Sequence, residues 1–234
     1  ALLCVSLVSR AAIKTETVDY KDDGTTLKGF LAYDDAIHNE KRPGIVVVPE
    51  WWGLNDYVKS RAEQLAGLGY VAFVADIYGN GFNTTDPKVA GEKAAEAAKN
   101  NWQRTRGKLA LDELSRNPRV DIDDLAAIGY CFGGTTVLEM ARASDNLRGV
   151  VSFHGILTTK HPARLGDIRA RVLVLTGGAD AFVPPEQVAK FKKEMKDARV
   201  EFKVISYPGA HHAFTNPHAG DYHIKNIEYN QSAD

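Results

Sequence analysis

Leu125-Ala126-Ala127-Ile128-Gly129-Tyr130-Cys131-Phe132-Gly133-Gly134 is the stretch that decides the fold. Leu125 to Ile128 is an apolar run, and Thr135 to Ala143 behind it reads as a helix. Small residues stand two before and two after Cys131, which suits a very sharp strand-to-helix turn. Such a turn strains its central residue and lifts that side chain clear of both elements. Residues held that way are usually nucleophiles, and the atom presented here is sulfur where the commoner motif carries serine.

Outward from this turn the chain alternates between two patterns. The short apolar runs Gly44–Pro49, Tyr70–Ala75, Leu125–Gly129, Gly149–Phe153 and Arg171–Thr176 predict strands buried on both faces of a parallel sheet. Val200–Tyr207 predicts a final strand before Pro208-Gly209. Asn55–Leu68, the long Ala/Lys/Glu-rich stretch Pro87–Ser115, and Pro185–Lys196 predict helices between them. Alternation in Ile13–Tyr20 and Thr26–Tyr33 predicts a hairpin turned at Asp22-Asp23-Gly24. The fold class is therefore α/β, a doubly wound and mostly parallel sheet with an antiparallel N-terminal hairpin. Ligands of such sheets gather beyond the carboxyl ends of the strands.

Composition narrows the function. A chain of 234 residues, 44% apolar, fits one domain with a full core. Its 29 basic and 30 acidic residues are mixed along the chain, and no run of Lys or Arg marks a nucleic-acid or membrane-surface patch. No apolar stretch approaches the ~20 residues of a membrane span. Residues 1–11, Ala1-Leu2-Leu3-Cys4-Val5-Ser6-Leu7-Val8-Ser9-Arg10-Ala11, read as the remnant of a signal peptide, apolar and then small at Ser9 and Ala11. On that reading the protein is exported to the periplasm or secreted, and the mature chain keeps one cysteine and no internal disulfide. Read instead as a disordered or strand-like N-terminus, the segment leaves the protein in the cytoplasm.

Three residues follow predicted strands in the order nucleophile, acid, base. Cys131 follows Leu125–Gly129, Asp180 follows the next-to-last strand in Thr176-Gly177-Gly178-Ala179-Asp180, and the last strand leads to Pro208-Gly209-Ala210-His211-His212-Ala213-Phe214. That is the chain order of α/β-hydrolase triads. An ordinary thiol has a pKa near ~8.5 and is mostly protonated at neutral pH. An imidazole beside it can take the proton and return it to the leaving group, and a carboxylate fixes the imidazole tautomer. Spacing alone leaves His211 and His212 both open as the base. His154, after Gly149–Phe153, either lines the site or is a hydrogen-bonded structural histidine. His211, His212, His218 and His223 lack the spacing of a dense metal motif.

At these residues the chain resembles the dienelactone hydrolase family of the α/β-hydrolase fold, from about Lys14 onward. The resemblance is carried by Gly129-Tyr130-Cys131-Phe132-Gly133-Gly134, by Gly177-Gly178-Ala179-Asp180 with Val183-Pro184, by Tyr207-Pro208-Gly209-Ala210-His211-His212-Ala213-Phe214, and by Val48-Pro49-Glu50-Trp51-Trp52-Gly53-Leu54-Asn55. It implies one α/β-hydrolase domain over residues 12–234, hydrolysis of a small carboxylic ester or lactone through a thioester, and no cofactor. The family pattern selects His212 as the base. It also implies that Glu50 meets the resting thiol and joins in its activation, and that the backbone amides of Phe132 and Trp51 form the oxyanion hole. Trp52, Tyr78, Asn80, Phe82, Tyr130, Phe182 and Phe214 are the candidate pocket residues. The alternative is a non-catalytic binding module on the same fold.

The chain departs from the family in two places. The arginines that hold a substrate carboxylate in the family have no counterpart in Asp76-Ile77-Tyr78-Gly79-Asn80-Gly81-Phe82 or in His212-Ala213-Phe214-Thr215-Asn216, which implies a neutral or differently shaped substrate. After Glu228-Tyr229-Asn230 family members continue into a last helix that covers the sheet, and the sequence leads one to expect the domain without it.

Overall fold

Burial on two faces, more than strand propensity, orders the sheet. Fully burying a Val or Ile is worth roughly 1.5–3 kcal/mol, against about 1 kcal/mol for the whole span of strand propensities. The computed structural model describes residues 12–38 and 40–234, so the signal-like segment lies outside the described residues. The strands are β1 (Ile13–Asp22), β2 (Thr25–Asp34), β3 (Arg42–Val48), β4 (Val71–Val74), β5 (Val120–Tyr130), β6 (Gly149–Phe153), β7 (Arg171–Gly177) and β8 (Phe202–Tyr207). The helices are α1 (Asp56–Gly67), α2 (Pro87–Lys99), α3 (Trp102–Ser115), α4 (Phe132–Arg142) and α5 (Pro185–Asp197), with a 3-10 turn at Ala219–Tyr222. The strands form one eight-stranded sheet in the order β1-β2-β4-β3-β5-β6-β7-β8. Pairing is antiparallel at β1/β2 and β2/β4 and parallel from β4 to β8.

The apolar runs divide between the two faces with the period of the pleat. Val46 and Val48 of β3 face the layer of α3, α4 and α5, against Leu111, Leu114, Val137, Met140 and Phe191. Ile45 and Val47 face the opposite side and meet Tyr57, Val58, Ala62 and Ala66 of α1. Asn55 caps α1 by accepting from the Val58 amide. Farther along that second face, Val151, Leu173 and Ile205 are only half-buried, among a small cluster that includes Phe214 and Ala233.

Three boundaries differ most from the sequence expectation. The Pro87–Ser115 stretch is two helices, broken where Asn101 takes a left-handed conformation with φ of 59°. Asparagine tolerates that region better than most residues, because its short side chain can hydrogen-bond locally. β5 starts at Val120, earlier than Leu125, because Arg42 and Pro43 pair with Val120 and Asp121 before a register shift. Asp121, Asp123 and Asp124 interrupt the apolar pattern there, and Ile122 between them is 52% exposed. α4 starts at Phe132, earlier than Thr135, so Gly133 and Gly134 are helical rather than turn residues.

Because β3 and β5 to β8 run parallel, the residues that follow them emerge at one edge. Glu50, Cys131, His154, Asp180 and His212 are therefore brought together although 162 positions separate the first from the last.

Candidate functional site

Cys131 sits at φ 51° and ψ −114°, outside both strand and helix geometry. Two glycines permit that turn by close approach. A Cβ on Gly129 would lie 2.1 Å from the Gly133 carbonyl oxygen, and one on Gly133 would lie 2.1 Å from that of Val48. Only glycine fits at either place. The Cys131 amide is held from behind, donating to the Phe153 carbonyl at 3.0 Å and to His154 Nδ1 at 3.0 Å.

The sulfur faces the loop after β8. His212 Nε2 stands 3.1 Å from Cys131 Sγ, and His212 Nδ1 stands 2.9 Å from Asp180 Oδ2. A carboxylate only accepts, so Nδ1 carries the proton there and Nε2 is left for the sulfur. The other Asp180 oxygen accepts from the Phe182 amide at 2.8 Å, which fixes the carboxylate in its own loop. The His212 backbone is stitched to a later segment, its N–H donating to Asn226 and its carbonyl accepting from Glu228. Burial opposes an imidazolium at His212, but the sulfur of Cys131 and the carboxylate of Asp180 outweigh it and raise the pKa from 6.5 to about 10. The pocket thus favours positive charge on this ring while the sulfur is negative.

His211 points elsewhere, with Nε2 4.0 Å from Glu228, and His218 pairs with Asp221 at 3.1 Å. Among the described residues no three metal-ligating side chains gather.

Glu50 is 2% exposed. Burial pushes its carboxyl up to about 7, against the pull of a hydrogen bond from Asn216 Nδ2 and the nearby His212. The Asn216 bond to Glu50 Oε2 is 2.7 Å long. Among the described residues that amide, not the thiol, is Glu50's hydrogen-bond partner. The backbone N–H of Phe132, next to Cys131 in the chain, and that of Trp51 meet no acceptor among the described residues. Phe132 opens α4, where such amides are unpaired and the helix dipole favours negative charge.

Aromatic rings frame this group. Trp52 stacks on Tyr222 with centroids 3.9 Å apart, and the Tyr78 hydroxyl donates to the Trp51 carbonyl at 3.1 Å. Tyr78 also touches the rings of Phe82 and Phe132. Phe182, 42% exposed, stands edge-on to His212. Three of the expected pocket residues lie elsewhere. Tyr130 is inside the α1 layer, stacked on Phe153 at 4.9 Å, because the strand pleat turns it away from the sulfur. Phe214 is 0% exposed and packs behind His154 and against Tyr207. Asn80 sits exposed in a left-handed turn whose amide bonds Thr26 of β2.

The sequence assigned no place to Tyr222, Asn216 or Thr215, which contact Trp52, Glu50 and His154, or to Tyr57, which reaches the site through Thr215. None belongs to a strand end or a glycine-flanked motif. Thr215 and Asn216 do follow the histidine loop directly, and that adjacency is the one signal that points to them.

Comparison with known proteins shows what the chain is similar to. A model described as the dienelactone hydrolase family matches residues 27–234. A Bradyrhizobium protein described as "Probable 2-oxo-3-(5-oxofuran-2-ylidene)propanoate lactonase" is 28% identical over 217 residues, covering 87% of this chain and 86% of that protein. A solved dienelactone hydrolase-like promiscuous phosphotriesterase from metagenomic libraries is 36% identical with a TM-score of 0.88, covering 95% of this chain and 92% of its own. A second solved chain, m3DLH, is 38% identical with a TM-score of 0.90 and the same two coverages, 95% and 92%. Among the described residues no helix is long and apolar enough to cross a membrane.

Proposed function

The chain belongs to the dienelactone hydrolase family, and from that premise we propose that it hydrolyses small carboxylic esters or lactones through a thioester on Cys131. The observation that carries this reading is the line from Cys131 Sγ through the His212 ring to Asp180, at 3.1 Å and 2.9 Å. Both distances are within hydrogen-bond reach of a working nucleophile and base.

His212 Nε2 takes the thiol proton, and Asp180 holds the resulting imidazolium. The thiolate attacks the carbonyl carbon, and the carbonyl π pair moves onto oxygen. That oxygen accepts from the N–H groups of Phe132 and Trp51, each donor of this kind being worth about 3–4 kcal/mol in the transition state. The tetrahedral adduct reforms its C=O bond and expels the alkoxide, which takes the proton from His212. In a lactone the leaving hydroxyl stays attached to the acyl group. His212 then takes a proton from water, the hydroxide attacks the thioester, and the carboxylic acid leaves as the thiolate is restored. Glu50 works against negative charge on sulfur and oxygen once it ionises, so its neutral form supports the attack.

The aromatic frame and the two buried carboxyl groups favour a neutral substrate over one carrying a free carboxylate. Neither residues 76–82, just after β4, nor residues 212–216 contain an arginine to hold one. Cys131→Ala is expected to abolish p-nitrophenyl acetate turnover, and Cys131→Ser to reduce it strongly with His212 still the base. Turnover retained in Cys131→Ala rejects the nucleophile. A panel of neutral esters, lactones, carboxylate-bearing lactones and one phosphotriester reads the substrate class.

A further inference from the structure

A buried chain of hydrogen bonds runs behind the sulfur and takes no part in the steps above. The Cys131 amide donates to His154 Nδ1 at 3.0 Å. His154 Nε2 lies 2.8 Å from Thr215 Oγ1, and Thr215 Oγ1 lies 2.7 Å from the Tyr57 hydroxyl. Exposure is 0% at His154, 1% at Thr215 and 7% at Tyr57. A backbone N–H can only donate, so His154 Nδ1 is the acceptor and Nε2 carries the ring's proton toward Thr215. The tautomer is thereby fixed by the elbow itself. Burial and the neighbouring His212 both keep His154 neutral, as a ring accepting at Nδ1 must be. His154 itself sits at φ 43°, a conformation that costs strain and persists only where surroundings impose it.

This chain spans the two parts that must meet. Cys131 belongs to the turn after β5, and Thr215 lies three residues beyond His212 in the loop after β8. The Arg61 guanidinium of α1 holds the same loop by the Thr215 carbonyl. We propose that His154, acting through Thr215, is a positioning residue that sets the separation of the Cys131 sulfur from the His212 ring. It stands edge-on to the His212 ring, with centroids 5.2 Å apart, but its hydrogen bonds go to the Cys131 amide and to Thr215 and not to the sulfur or to that ring. Its hydrogen bonds tie the nucleophile's backbone to the base's loop, so loosening either end lengthens the contact on which proton transfer depends. A misplacement near 1 Å costs on the order of a hundredfold in rate.

The inference rests on Cys131 being the nucleophile, and its test is read partly without substrate. Thr215→Val keeps the shape and removes the hydroxyl, and Thr215→Ser restores it. Two quantities are measured: kcat and KM for p-nitrophenyl acetate, and the pH midpoint of Cys131 alkylation by iodoacetamide. The groups facing the Cys131–His212 pair are Asp180, Glu50, Tyr78 and His154, with Arg61 beyond them, and none is altered by these variants. Thr215→Val is expected to lower kcat on the order of 10- to 100-fold, to leave KM within about threefold, and to move the alkylation midpoint to higher pH, with Thr215→Ser recovering both. An unchanged midpoint with kcat within about twofold overturns the proposal, as does a Thr215→Ser variant no better than Thr215→Val. Should Thr215→Val fail to fold, Tyr57→Phe carries the same two readings with a smaller expected effect, and no change in either overturns it. Wild-type protein that alkylates as expected yet turns over no ester defeats the hydrolase reading while the positioning role is still decided by the alkylation midpoint.

Discussion

Replacing Glu50 by glutamine makes the folded state more stable at alkaline pH. Glu50 is buried at 2% exposure, and burial raises its carboxyl from 4.5 to about 7. An acid whose folded-state pKa exceeds its unfolded value holds its proton more tightly when folded. The stability that the neutral form contributes is fully present below about 4.5 and is lost as pH rises through about 7. Raising the carboxyl from 4.5 to about 7 makes the wild-type penalty about 3 kcal/mol above pH 8. Glutamine carries no charge to desolvate, and its carbonyl oxygen can still accept from Asn216 Nδ2. The gain of Glu50→Gln should therefore be near zero at pH 4.5 and reach about 3 kcal/mol at pH 8–9. For a chain of this size that is an increase in Tm of about 6–12 °C. Thermal unfolding of both proteins from pH 4.5 to 9, in buffers of equal ionic strength, reads the difference directly. A stability difference independent of pH refutes the argument, because it means that Glu50 ionises as freely in the folded chain as in water.

Other perturbations bear on the same site. Asp180→Asn keeps the shape but releases the His212 tautomer, so kcat for p-nitrophenyl acetate should fall on the order of 10³- to 10⁴-fold with little change in KM; a loss under tenfold argues against a role for this carboxylate. Gly133→Ala forces a Cβ to within 2.1 Å of the Val48 carbonyl. It should lower stability by about 1–3 kcal/mol and cut turnover as well, whereas unchanged Tm shows that the turn is less tightly closed than described. Chelation by EDTA should leave ester turnover unchanged, and a loss restored by added metal contradicts the mechanism.

The fold was legible because its strands are short, apolar and separated by helices, a pattern that leaves few topologies. That Cys131, Asp180 and a histidine of the last loop would meet was legible for a related reason: each follows a strand, and glycine spacing marks the turn that holds the sulfur, whereas the choice of His212 over His211 came from the family resemblance and not from spacing. What stayed hidden depends on direction or distance. Tyr130 and Phe214 stand beside site residues in the chain, yet the pleat and the loop turn both rings inward. Tyr222 reaches Trp52 from a segment without periodicity. Asn101 broke one expected helix into two through a single left-handed residue. The link from Tyr57 to Thr215 spans 158 positions, and a one-dimensional pattern carries no trace of such a contact.

The central claim is a covalent bond between an acyl group and one sulfur atom. Protein mixed with p-nitrophenyl acetate and quenched in acid during steady turnover should gain the mass of one acetyl group. Peptide mapping should place that group on Cys131, and neutral hydroxylamine should remove it as expected of a thioester. Steady turnover with no adduct on Cys131, or with the acetyl group on another side chain that turnover requires, contradicts the account.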